Sequence, residues 1–275
     1  MQTSDEIKEM VREKYGEIAK KASDQGCMCG CGPSVFGADY SIMSDDYSKV
    51  EGYVPEADLS LGCGIPTEFA RIKEGDTVLD LGSGAGNDVF VARRIVGQSG
   101  KVIGVDMTDE MIAKARQNCG KLGYNNVEFR FGDIEFLPVI DNSIDVVISN
   151  CVLNLVPDKH KAFNEIFRVL KDGGHFCVSD IVIEGELPEK IRNAVTMYVG
   201  CVAGALQKGE YLNVINETGF RCIKVEKEKL DIVPDEILKD YLSQEEIDNY
   251  KNSGVKILSI TVFAQKGLGT AKKCC

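Results

Sequence analysis

The feature that most constrains this chain is Asp80-Leu81-Gly82-Ser83-Gly84-Ala85-Gly86, at the end of the apolar run Thr77-Val78-Leu79. Alternate glycines after an apolar run predict a strand that turns sharply into a helix. Bare glycine lets the backbone approach a ligand closely, and the helix start offers free N–H groups. A dinucleotide-binding fingerprint would place its third glycine at position 87, where Asn87 stands. No Gly-Lys-Ser/Thr follows, which excludes a phosphate-cradling P-loop. A tight glycine turn preceded by a carboxylate suits a cationic, phosphate-free ligand.

The pattern around this turn alternates strand and helix. Strands are expected at 77–81, 101–106, 127–131, 144–149 and 175–181, with helices at 88–96, 109–122 and 159–171. Such alternation predicts a parallel sheet covered by helices on both faces. Further on, 189–205 and 210–218 read as helices, 220–230 and 256–266 as a closing antiparallel pair, and 234–250 as a polar helix. At the start, Thr3 and Glu6 form a capping box before an amphipathic helix carrying Ile7, Met10, Val11, Tyr15, Ile18 and Ala22. Residues 34–60 lack periodicity and read as loops and short helices. Three parts result: an N-terminal helical, cysteine-bearing segment (1–70), a ligand-binding core (71–183) and C-terminal helices with closing strands and a tail (184–275).

In an open parallel sheet, ligands bind at the carboxyl ends of the strands. Candidate contacts recur at those ends in order: Asp80 with Gly82, Gly84 and Gly86; Asp106-Met107; Gly132-Asp133-Ile134; and Asn150. Asp106 can accept two ribose hydroxyls, Asp133 an adenine amine, and Ile134 can pack the ring. Each acid alone is more simply a cap or turn residue; four strand ends in series favour a nucleoside-type ligand. S-adenosylmethionine, a sulfonium bearing an amino acid and an adenosine, is one. The set resembles the class I S-adenosylmethionine-dependent methyltransferases. That resemblance implies an α/β fold with a doubly wound, mostly parallel, seven-stranded Rossmann-like sheet.

Composition narrows the partners. A net charge of −11 disfavours nucleic acid and anionic membranes. No apolar run is long enough to span a bilayer, and residues 2–21 lack the apolar core of a signal peptide. A cytoplasmic location is the expectation, and there 11 cysteines are not expected to form a disulfide framework. Cys119, Cys177 and Cys222 lie in helix or strand patterns and read as packing residues. Cys63, Cys151 and Cys201 fall where this fold places a substrate. The two histidines, His160 and His175, stand away from them in the pattern, so no general base is evident. Three thiolates without a fourth ligand suit a soft ion that keeps a lone pair, such as trivalent arsenic, whereas zinc wants four ligands.

Leu61-Gly62-Cys63-Gly64-Ile65-Pro66-Thr67, Ser149-Asn150-Cys151-Val152-Leu153-Asn154-Leu155, Gly200-Cys201-Val202-Ala203-Gly204-Ala205-Leu206 and Val102-Ile103-Gly104-Val105-Asp106-Met107-Thr108 together resemble the arsenite S-adenosylmethionine methyltransferases. The resemblance implies that Cys63, Cys151 and Cys201 bind trivalent arsenic, supplied as arsenite or its thiol conjugates. It also implies that an N-terminal cysteine from Cys27-x-Cys29-x-Cys31, with Cys29 as the candidate, serves capture or redox turnover, and that thioredoxin or glutathione is the reductant. Cys274-Cys275 is either an arsenic-relaying pair or an idle tail. Two other readings are a methyltransferase for a small organic acceptor such as a quinone precursor, and a non-enzymatic soft-metal binder on a degenerate frame.

Overall fold

The computed structural model describes residues 3–24, 44–190, 201–202, 204–239 and 242–267. Seven strands form one sheet in the order β3-β2-β1-β4-β5-β7-β6. They are β1 (Thr77–Leu81), β2 (Lys101–Asp106), β3 (Val127–Phe131), β4 (Ile144–Asn150), β5 (Leu170–Glu184), β6 (Arg221–Asp231) and β7 (Lys256–Gln265). β1 to β5 pair in parallel; β7 runs antiparallel between β5 and β6. The helices are α1 (Ser4–Asp24), α2 (Asn87–Val96), α3 (Asp109–Leu122), α4 (Lys159–Val169), α5 (Lys208–Glu217), α6 (Asp235–Leu238) and α7 (Gln244–Asn252).

The doubly wound reading follows from which strand residues are buried where. Successive side chains of a strand point to opposite faces. Leu79, Leu81, Val105 and Val147 join Phe163, Phe176 and Tyr211 in one core. Val78, Val102, Val146 and Ile148 join Val89, Phe90, Ile112 and Phe129 in a second. Both faces are thus covered by helices, which is why these strands are nearly continuously apolar. No helix among the described residues is long and apolar enough to cross a membrane.

Local signals set several boundaries. The capping box at Thr3 and Glu6 forms: the Thr3 N–H donates to Glu6 Oε2 at 2.7 Å, and the Glu6 N–H donates to Thr3 Oγ1 at 3.3 Å. The polar stretch 234–250 divides into α6 and α7, because Ser243 caps the second helix in its own box with Glu246. β5 starts five residues before the expected start, running through Gly173-Gly174, because Ile144 already pairs with Leu170. The helix expected over 189–205 falls largely outside the described residues.

Cys222 corrects the packing role expected for it: it is disulfide-bonded. It sits half-buried at a bulge in the edge strand β6, with φ +54°. An edge bulge leaves a side chain accessible to a covalent partner, where a core position would not. Cys119 and Cys177 are free and buried, as expected of packing thiols.

Phe176 is fully buried, 4.7 Å from the Phe220 ring and 5.6 Å from the Phe163 ring. Phe176→Ala should lower unfolding free energy by about 3–5 kcal/mol, read as a lower urea midpoint with unchanged m-value.

Candidate active site

The strand ends open onto a cavity of about 140 Å³. Its wall includes Asp80, Gly82, Gly84, Asp106, Met107, Gly132, Asp133, Ile134 and Asn150, so nine of the expected contacts meet in one place. Gly86 does not line it. Gly86 begins α2 with φ +101° and packs on Phe90 and Phe129, where an added Cβ would come within 2.9 and 3.1 Å of the rings. Its role is to make the turn.

The wall suits a cationic nucleoside. Asp106 Oδ2 accepts from the Gly84 N–H and Oδ1 from the Thr108 N–H, both at 2.9 Å. Asp133 accepts from Lys8 Nζ at 2.6 Å and from the Glu135 N–H at 2.9 Å. Burial, reinforced by the charges of Asp88 and Asp106, pushes the Asp80 carboxyl well above its ordinary range. Burial also pushes Asp88 up to about 6, against hydrogen bonds from Tyr47 and Asn150. A bound cation would relieve this crowding of carboxylates. Ser83 Oγ and Asn87 Oδ1, both in residues of the wall, are buried without partners and await a polar ligand.

Helix α1 covers one side of this cavity. Val11 and Tyr15 line it, and Lys8 pairs with Glu135 at 2.7 Å as well as with Asp133. Arg12 Nε donates to the Met107 carbonyl at 3.3 Å.

Behind the cavity lie the thiols. Cys63, Cys151 and Cys201 are free, buried and share one apolar cluster with Ile181, Ile183 and Val202. The Cys151 thiol is within hydrogen-bonding reach of the Cys201 and Cys63 thiols, and Cys201 Sγ donates to the Cys151 carbonyl at 3.4 Å. Of the three, Cys151 alone also lines the cavity. Burial pushes the Cys63 thiol up to about 11. Hydrogen bonds that the Cys151 thiol gives to the Cys201 and Cys63 sulfurs, then burial, push Cys151 well above its ordinary value. Among the described residues no three His, Cys, Asp or Glu side chains already form a metal-ion site. The thiols are neighbours, not a formed chelate.

Their backbone explains the motif glycines. Cys63 is held by Asn150, whose Oδ1 accepts from the Cys63 and Gly64 N–H groups at 3.0 and 3.3 Å. A Cβ on Gly62 would fall 2.4 Å from Asn150 Nδ2, and one on Gly64 2.6 Å from Ser179 Oγ. Only glycine fits on either side of Cys63. Cys151 itself has φ +60°, a left-handed conformation costing about 1–3 kcal/mol in a non-glycine residue. Its N–H is anchored to the Ser179 carbonyl at 2.7 Å.

Known proteins share this sequence and fold. A methyltransferase-domain family model matches residues 72–219. The arsenite methyltransferase of Halobacterium salinarum is 42% identical over 95% of this chain and 67% of its own length. The chain belongs to the arsenite methyltransferase family. The human arsenite methyltransferase is 35% identical over 78% of this chain and 58% of that protein. The crystal structure of CrArsM, an arsenic(III) S-adenosylmethionine methyltransferase from Chlamydomonas reinhardtii, superposes with a TM-score of 0.65 at 35% identity. It covers 77% of this chain and 69% of that one. Cys27, Cys29, Cys31, Cys274 and Cys275 lie outside the residues described for this family member.

Several site residues left no mark in the sequence. Tyr47 comes from the stretch without periodicity, yet its hydroxyl lies 2.8 Å from Asp88 Oδ1 and 3.0 Å from the Gly64 carbonyl. Asp88 stood only at the start of the helix expected over 88–96, and Lys8 drew no reading of its own. Asn150, expected at the cofactor, borders the cavity but spends its amide on the Cys63 loop, Tyr47 and Asp88.

The raised Cys63 value leaves about a hundredfold less thiolate at pH 8 than an ordinary thiol has. Iodoacetamide should therefore alkylate Cys63 at least that much more slowly in the folded protein than in urea, read by peptide mass spectrometry.

Proposed function

We propose that this chain methylates trivalent arsenic, with Cys63, Cys151 and Cys201 as the arsenic ligands and S-adenosylmethionine as the methyl donor. The supporting observation is the position of Cys151, at once in the cavity wall and among the buried thiols. Bound in the cavity, S-adenosylmethionine supplies an electrophilic methyl carbon on a sulfonium. Gly82, Gly84, Asp80, Asp106, Met107, Gly132, Asp133 and Ile134 hold and orient it, and α1 excludes water from one side. Three soft sulfurs satisfy arsenic while leaving its lone pair opposite them. The protein's task is to aim that lone pair, because in-line transfer needs reacting atoms about 3–3.5 Å apart.

The fixed elements supply that aim. Asn150 clamps the Cys63 loop to the end of β4, and Cys151 leaves the same strand end in a fixed left-handed turn. Methylation formally takes arsenic from the trivalent to the pentavalent state. Return requires two electrons, which a cysteine pair closing to a disulfide supplies and thioredoxin or glutathione restores. Cys29 is our candidate for that turnover. A reducing cytoplasm is the location this chemistry needs.

Substituting Cys151 by Ser should cut arsenite methylation about a hundredfold or more while S-adenosylmethionine affinity stays within a few-fold. Chromatography of methylated arsenicals and calorimetric titration of the cofactor read the two quantities. Undiminished methylation by that variant would overturn the proposed ligand set.

A further inference from the structure

The cavity wall is completed by a helix from outside the sheet. Lys8, Val11 and Tyr15 of α1 line the cavity. Their spacing of three and four residues puts them on one helix face. A turn further on, Ile18 and Ala19 pack with Met111 of α3, beside Leu59 and Leu61. This seam is thin. The buried apolar side chains of the 21-residue helix, among the described residues, are Val11, Ile18 and Ala19, and Met10 is exposed. A helix that buries so little apolar surface depends on its polar contacts to stay docked.

Those contacts centre on Lys8. Its Nζ stands 2.6 Å from Asp133 Oδ2 and 2.7 Å from Glu135 Oε2. The Lys8 side chain is 15% exposed and that of Glu135 3%. A buried carboxylate that loses its cation is left with a large desolvation cost, so Glu135 holds Lys8, and with it α1, in place. The other Glu135 oxygen, Oε1, accepts from the Asp158 N–H at 2.9 Å. Asp158 closes the segment that leaves β4 at Cys151, and Val152, Leu155, Val156 and Pro157 of that segment line the cavity. One carboxylate therefore braces both α1 and a second part of the wall. Elsewhere on α1, Arg12 pairs with Glu9 at 2.6 Å and Lys20 with Glu110 at 2.8 Å, both in more exposed positions.

We propose that Lys8 is a positioning residue for the methyl donor: by bridging Asp133 and Glu135 it docks α1 across the cavity, and the docked helix retains S-adenosylmethionine. This rests on the cavity being the methyl-donor site. Charge alone argues the opposite way. S-adenosylmethionine carries a net positive charge, and the wall holds Asp80, Asp88, Asp106 and Asp133. Removing a lysine from that wall would, by Coulomb attraction, tighten the binding of a cation. Docking predicts weaker binding, so the sign of the change decides between the two.

The test is calorimetric titration of the full chain with S-adenosylmethionine, without arsenite, in the parent protein, Lys8→Met, Lys8→Arg and Lys20→Met. Amide hydrogen exchange of α1, read by mass spectrometry with and without the cofactor, accompanies it. Lys8→Met should raise the dissociation constant about tenfold, as expected when the docked helix falls to about a tenth of the population. Exchange in its α1 should quicken and lose the protection that the cofactor gives in the parent. Lys8→Arg, whose planar guanidinium can bridge two carboxylates, should return to within about threefold of the parent. Lys20→Met removes the same charge from an exposed pair on the same helix and should leave the constant unchanged. Lys8→Gln carries the same test if Lys8→Met fails to fold. Binding by the Lys8 variant as tight as the parent's or tighter, or weaker binding with unaltered exchange in α1, overturns the docking role. Equal weakening by Lys20→Met overturns the assignment to Lys8. A parent protein that binds no S-adenosylmethionine overturns the reading of the cavity itself.

Discussion

One side chain joins the two halves of this site. Asn150, the last residue of β4, accepts from the Cys63 and Gly64 N–H groups and donates toward the Gly64 carbonyl, Tyr47 and Asp88. Through it, a loop that would otherwise lie free over the sheet is fixed beside Cys151. The same amide borders the cavity at the strand ends. Losing it would leave several buried donors and acceptors without partners, a larger loss than that of one hydrogen bond. The glycines flanking Cys63 exist because this clamp is close-fitting: any side chain there would enter the space of Asn150 or Ser179.

The site also carries strain and unfavourable charge, both of which oppose stability. Cys151 holds a left-handed backbone, and Asp80, Asp88 and Asp106 crowd one another in the cavity wall. Such costs persist where the surrounding packing over-determines the conformation, and they gather at functional positions. Here the two apolar cores on the faces of the sheet supply that packing. Of the thiols, Cys63 and Cys151 are both held above their ordinary values.

Much of this was legible in the sequence. β1, β2, β3 and α3 have the expected bounds because each is an apolar run or periodic stretch closed by turn or capping residues. The glycine turn and the acids at successive strand ends named nine residues of the cavity wall, because an α/β sheet puts its ligand contacts at predictable places. Tyr47 was invisible, since its role depends on contacts 17 and 41 residues away and not on local periodicity. That Cys222 is disulfide-bonded depends on a pairing that no local pattern specifies.

X-ray absorption at the arsenic edge of the protein loaded with arsenite tests the central claim most directly. A first shell of three sulfurs with no oxygen, losing one sulfur when Cys63, Cys151 or Cys201 is replaced by serine, is the result this account predicts. A shell that retains oxygen, or one indifferent to those three substitutions, would contradict it.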